Sequence, residues 1–189
     1  MYQIINDLPI DFEFSTKTKE ELKLYGAWFK ENKDKRIANL LESVKETKNF
    51  ENWNADFSHN SLIELGKWFK ENTQTTKLSE QEFKAKRAQV PDYIEVDDWD
   101  LSIKTRSLIV DIGIYFGEVF INKYSQLKWK QYFSKIKRDV NNGHMIIPNF
   151  GKMELNPILV VLSVGWGFAR KTKDENSLYD LFLVWEKYL

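Results

Sequence analysis

The stretch Leu22-Lys23-Leu24-Tyr25-Gly26-Ala27-Trp28-Phe29-Lys30-Glu31-Asn32 returns forty residues later as Leu62-Ile63-Glu64-Leu65-Gly66-Lys67-Trp68-Phe69-Lys70-Glu71-Asn72, identical at seven of eleven positions. Two copies are fewer than a solenoid needs, so this is a local duplication of one helical element. Leu22, Tyr25 and Phe29, and in the second copy Leu62, Leu65 and Phe69, recur at the three-and-four spacing that lines one helical face with apolar groups. Each copy opens on a capping-box pattern, Thr18-Lys19-Glu20-Glu21 and Ser61-Leu62-Ile63-Glu64, in which the hydroxyl accepts from a free backbone donor and the Glu reaches back. Gly26 and Gly66 lie mid-helix, where each costs about 1 kcal/mol relative to Ala. That cost predicts a close approach there, of the two copies to one another. Asn32 and Asn72 fit helix ends, because Asn tolerates the left-handed conformation.

Working outward, Ile37, Leu40, Leu41 and Val44 form the stripe of a second helix ending near Thr47, and residues 49–60 read as loop or a short strand. Ser79-Glu80-Gln81-Glu82 opens a helix that reaches about Ala88, and Val90-Pro91 stops it. The acidic run Pro91 to Asp100 separates two compositionally different halves. Beyond it, Ser102 to about Lys123 reads as a largely apolar helix. Leu127–Phe133 and His144–Ile147 read as strands of a hairpin around the Asn141-Asn142-Gly143 turn. Asn156-Pro157 has the cap-then-proline order that starts a helix, leading into Ile158–Ala169. Lys171–Asn176 is a polar loop, and a last helix begins at Ser177 with Leu178, Leu181, Phe182 and Trp185 on one face. The expected fold is α+β and mostly helical: N-terminal helices carrying the duplicated motif, packed against a C-terminal part with a β-hairpin and long buried helices. The expected division is a helical subdomain over 1–90 and an α+β subdomain over 91–189, with one single domain as the alternative.

A chain of 189 residues can bury a substantial core without added staples. Aromatic residues make up 15% of it, so rings dominate the expected core energetics. Lys plus Arg equals Asp plus Glu at 28 each, which leaves no global field to gather a polyanion or an anionic membrane. Nucleic acid and membrane are therefore disfavoured partners. The absence of Cys excludes disulfides, thiolate catalysis and thiolate-bound metal. The first residues lack the basic start and apolar run of a secretory signal, and the apolar stretches near 108–121 and 157–169 are too short to span a membrane. A cytoplasmic protein is the expectation.

Few residues suggest chemistry. Ser107, Asp111, Glu118 and Asn122 interrupt the apolar 102–123 helix at helical spacing, but Asp111 and Glu118 lie about 10 Å apart along the axis and neither has a His at the spacing of a di-metal helix. The simpler reading is a solvent or polar-contact side, with Arg106, Arg138 or Arg170 as partners if the carboxylates are buried. His59 and His144 belong to no metal or nucleophile pattern. Gly113 and Gly117 match a small-residue packing motif, and no phosphate-cradling motif occurs. No cofactor, metal or catalytic residue is assigned.

Two segments suggest binding. Glu95, Asp97, Asp98 and Asp100 flank Trp99, an acidic rim around an aromatic anchor that suits a basic partner, and a solvated linker is the simpler alternative. The segment lacks the glycine and terminal glutamate of a calcium loop. Lys128, Lys130, Lys135, Lys137 and Arg138 interleave with Trp129, Tyr132 and Phe133 on the hairpin, a pattern that could stack single-stranded nucleic acid. Finally, the order of Asp111-Ile112-Gly113-Ile114-Tyr115-Phe116-Gly117-Glu118-Val119, Leu127-Lys128-Trp129 and Asn156-Pro157 resembles an arrangement in small uncharacterised bacterial proteins, some similar to the immunity proteins of polymorphic toxins. The resemblance covers about residues 105–170 and implies a protein that acts by binding a toxin domain. The expected function is non-catalytic protein binding, with Glu95, Asp97, Asp98, Trp99 and Asp100 as the partner-binding residues. The alternatives are a small enzyme or ligand-binding protein using Asp111 and Glu118, and a nucleic-acid-binding module.

Overall fold

The computed structural model describes residues 2–136 and 138–189, which fold as a mostly helical α+β protein. Helix α1 spans Lys19–Lys45, α2 Ser61–Asn72, α3 Glu80–Arg87, α4 Ile103–Lys123, α5 Pro157–Ala169 and α6 Ser177–Glu186. Strands β1 (Thr75–Lys77) and β2 (Trp99–Leu101) pair antiparallel, and β3 (Lys130–Gln131), β4 (Met145–Phe150) and β5 (Met153–Leu155) form a second antiparallel sheet in that order. None of the described helices is long and apolar enough to cross a membrane.

Helix α4 is the centre of the molecule, because it is apolar on almost every side and needs cover all round. It packs against α5, α1 and α2. The closest approach is at Gly113, where a Cβ would sit 2.7 Å from the Ile158 Cα of α5. Gly117, one turn on, leaves room for the Trp129 ring. The caps behave as their residues dictate: Ser102 and Asn156 accept from Thr105 N and Leu159 N, and Thr18 and Ser79 form complete capping boxes with Glu21 and Glu82. In the Asn142–Gly143 turn Gly143 takes a positive φ of 84°, and the β3–β4 hairpin has the register Lys130 opposite Ile146. One apolar core draws on both segments, from Leu22, Tyr25 and Phe29 to Phe120, Phe150 and Phe182.

Four expectations need correction. Asn32 does not end a helix: its Nδ2 donates to the Trp28 carbonyl inside a continuous α1, and the separate helix expected at Ile37 is the second half of the same rod. Ser61 is not a cap, since α2 begins on Asn60 with no side-chain cap, and the Ser61 hydroxyl instead donates to Ser58 O and meets the Tyr115 hydroxyl at 2.8 Å. The duplicated glycines do not face each other: Gly26 lies under the Gln131 amide and Gly66 under the Glu175 carbonyl. Strands β1, β2 and β5 lie outside the expected elements, and β5 returns from β4 through Asn149 and Gly151, both at positive φ.

Candidate functional site

The acidic segment is built on the end of α3. Mostly polar apart from half-buried Phe83, this helix carries Lys84, Lys86 and Arg87 in its last turn, where cations suit the helix dipole. Val90-Pro91 stops it, and the chain then wraps around the Arg87 guanidinium. Arg87 Nη1 donates to the carbonyls of Pro91 and Ile94 at 3.0 and 3.1 Å, and Nη2 to Asp92 at 3.0 Å. A turn closes between Ile94 N and Pro91 O. With the carbonyls gathered inward, the side chains turn out: Tyr93 is 86% exposed and Ile94 45%. Lys86 Nζ then ties down the carbonyls of Asp97 and Trp99, and β2 pairs with β1.

The expected acidic rim is thus divided. Asp97 accepts from Arg170 at 2.7 Å and Asp100 from Arg106 at 2.7 Å. Trp99 leans on Trp166 with ring centroids 5.5 Å apart and is half-buried, while Arg170 stacks on the other ring of that pair. Glu95 and Asp98 remain exposed, with no side-chain partner among the described residues. The exposed aromatic is Tyr93 rather than Trp99, and Ile94 stands beside it. The sequence signal for this was the Val90-Pro91 stop one turn after Arg87, which forces the chain back over the guanidinium.

The polar line on α4 is a polar-contact side along Ser107, Asp111 and Glu118, with Asn122 exposed at its end. Asp111 is fully buried and accepts from Arg36 Nε at 2.8 Å, Arg36 Nη2 at 2.7 Å and the Tyr2 hydroxyl at 2.6 Å. Its partner is Arg36 of α1, not Arg106, Arg138 or Arg170. Burial pushes the Asp111 carboxyl up to about 6, while Arg36 and Tyr2 pull it down, so it is ionised at neutral pH. Ser107 accepts from Ile5 N, and Arg36 and Asn39 both donate to Gln3 O, so this seam fastens the N-terminal segment across α1 and α4. Glu118 has a separate set of partners, Lys33 Nζ at 2.8 Å and Trp129 Nε1 at 2.7 Å, and Asn122 donates to Phe57 O. Asp111 and Glu118 share no partner. Both ion pairs reach α1, and Asp111 additionally holds Tyr2 while Glu118 holds Trp129.

His59 lies flat beside Tyr179 and Phe182. His144 is 7% exposed with its ring 4.1 Å from that of Phe14, and desolvation holds its imidazole down at about 4. No three His, Asp or Glu side chains converge as a metal site among the described residues. On the hairpin, Trp129 turns inward onto Phe29, half-buried Tyr132 donates its hydroxyl to Asp139, and exposed Phe133 carries Lys19 at 5.3 Å from its ring centroid. Lys137, part of that basic pattern, lies outside the described residues. Comparison of the chain with family models, curated proteins and solved structures finds no match, so the reading of the site rests on its own residues.

Proposed function

We propose that this chain is a non-catalytic protein-binding protein that engages a basic surface of its partner through the 91–98 loop, with Tyr93 and Ile94 as anchors and Asp92, Glu95 and Asp98 as the charged rim. The observation that carries this reading is the Arg87 clamp, which holds an exposed aromatic and an exposed aliphatic outward in a loop whose charges are all acidic. An aromatic held in place loses little freedom on binding, and acidic neighbours steer a basic partner into register. The engagement of Asp111 and Glu118 by internal cations supports a structural role for both. The resemblance of residues 105–170 to small uncharacterised bacterial proteins, some of them similar to immunity proteins, makes a toxin domain the partner class to test first.

The experiment is calorimetric titration of the chain with the purified toxin-like domain encoded beside its gene. Tyr93→Ala is expected to cost about 2 kcal/mol of binding, and the triple reversal of Asp92, Glu95 and Asp98 to Lys to abolish it, with melting temperature unchanged. Undiminished binding by both variants would remove the loop from the interface. A neighbouring gene that encodes no such domain would remove the toxin from the proposal.

A further inference from the structure

A cavity of about 230 Å³ opens between α4, α5 and the N-terminal segment. Its walls are aliphatic, including Ile109 of α4 with Leu159 and Leu162 of α5, and Phe12 stands at its edge. Among the described residues, the polar side chains in its walls are Arg106 and His144, and no carboxylate lines it. Arg106 uses Nη2 on Asp100 and Nε on the Leu101 carbonyl, and its Nη1 has no hydrogen bond among the described residues. His144 is more than nine-tenths buried, and its Nδ1 is enclosed without any partner. A buried imidazole nitrogen with an unmet hydrogen bond is costly and calls for an explanation.

We infer that this cavity is a binding site for a short-chain carboxylate, its hydrocarbon tail against Ile109, Leu159 and Leu162 and its head group toward Arg106 and His144. The size follows from volume: at roughly 30 Å³ per water-sized group the cavity holds about eight non-hydrogen atoms, the size of hexanoate. The charge follows from Arg106, the one cation among the described lining residues, whose Nη1 stays free beside its ion pair with Asp100. An apolar chamber with a few placed polar groups fixes the orientation of a ligand that has an apolar tail and a polar head. Phe12 packs on Phe14, and Phe14 on His144, so the N-terminal segment forms one wall of the chamber and is the natural route of entry.

The test is isothermal titration calorimetry of the whole chain with hexanoate, hexan-1-ol and acetate as probes. Hexanoate is expected to saturate a single site at least about tenfold more tightly than either of the others, the factor expected of one hydrogen bond to a charged group. Arg106→Gln should bring hexanoate down to the level of hexan-1-ol. Leu162→Phe, at a half-buried position that tolerates added volume, should weaken both while the protein stays folded. Equal binding of hexanoate and hexan-1-ol by the parent, no saturation with hexanoate, or unaltered binding by a folded Leu162→Phe variant would each overturn the inference.

Discussion

Replacing Arg36 by Met probes the molecule's interior most directly. The substitution keeps the aliphatic stem and deletes the guanidinium, leaving the fully buried Asp111 carboxylate with the Tyr2 hydroxyl and taking a donor from Gln3 O. Removing one member of a buried ion pair costs about 3–5 kcal/mol, because the remaining charge is desolvated and unpaired. For a chain of this size each kcal/mol lowers the melting temperature by about 2–4 °C, so a fall of about 6–20 °C is expected. The pH dependence is more diagnostic. Burial already holds the Asp111 carboxyl at about 6, above its ordinary 3.8, and losing Arg36 raises it further. A folded-state value above the unfolded one makes the folded protein the tighter proton binder, so stability is greatest below the unfolded value and falls as pH rises through the folded one. The deficit of the variant should therefore grow as pH rises past about 6, measured by urea denaturation at several pH values. Adding Asp111→Asn should recover more than half of the loss by removing the stranded charge while keeping an acceptor for Tyr2. A deficit below about 1 kcal/mol that does not change with pH would mean the carboxylate reaches water, and the reasoning would fail.

Three further outcomes are expected. His144 has a folded value depressed to about 4 from 6.5, so its contribution is present above 6.5 and is lost as pH falls through about 4; the stability of the parent relative to His144→Phe should fall across that window in denaturant titrations, and a constant difference would contradict the burial of the imidazole. Gly113→Ala should lose a net 1–2 kcal/mol, on the order of an overpacking cost against the Ile158 backbone minus the helix-propensity gain, and a neutral result in the same titration would contradict the close α4–α5 contact. Arg87→Ala should leave global stability within about 1 kcal/mol yet speed amide exchange at Ile94 at least about tenfold, and an unchanged rate would show that the guanidinium does not order the loop.

The elements fixed by local chemistry were legible in the sequence. Thr18, Ser79, Ser102 and Asn156 cap the helices they precede, and Gly143 makes the turn that pairs β3 with β4. The two Trp-Phe-Lys-Glu-Asn copies show where local reading stops. Asn32 and Asn72 make the same side-chain bond, to the carbonyls of Trp28 and Trp68, but only Asn72 ends a helix. The residues C-terminal to each Asn make the difference: Lys33 to Ile37 continues a helix-forming pattern, whereas Thr73 to Thr76 is rich in β-branched residues that favour a strand. The Arg36–Asp111 pair lies 75 residues apart in sequence and has no local signature. At the candidate interface the acidity was readable and the anchor was not, because the burial of Trp99 depends on Trp166 in another helix.

The seam that binds the N-terminal segment also orders events in time. Tyr2 and Asp111 are separated by 109 residues, so at about 5–20 residues per second the tyrosine waits roughly 5–20 s during synthesis before its acceptor exists. Arg36 waits nearly as long for its counter-charge. The segment from Tyr2 to Phe14 is held to α1 and α4 by side chains, with no ladder bonds among the described residues, and its full docking is expected once α1 and α4 have met. Its contacts should be absent from the rate-limiting step, so Tyr2→Phe should accelerate unfolding and leave the folding rate nearly unchanged.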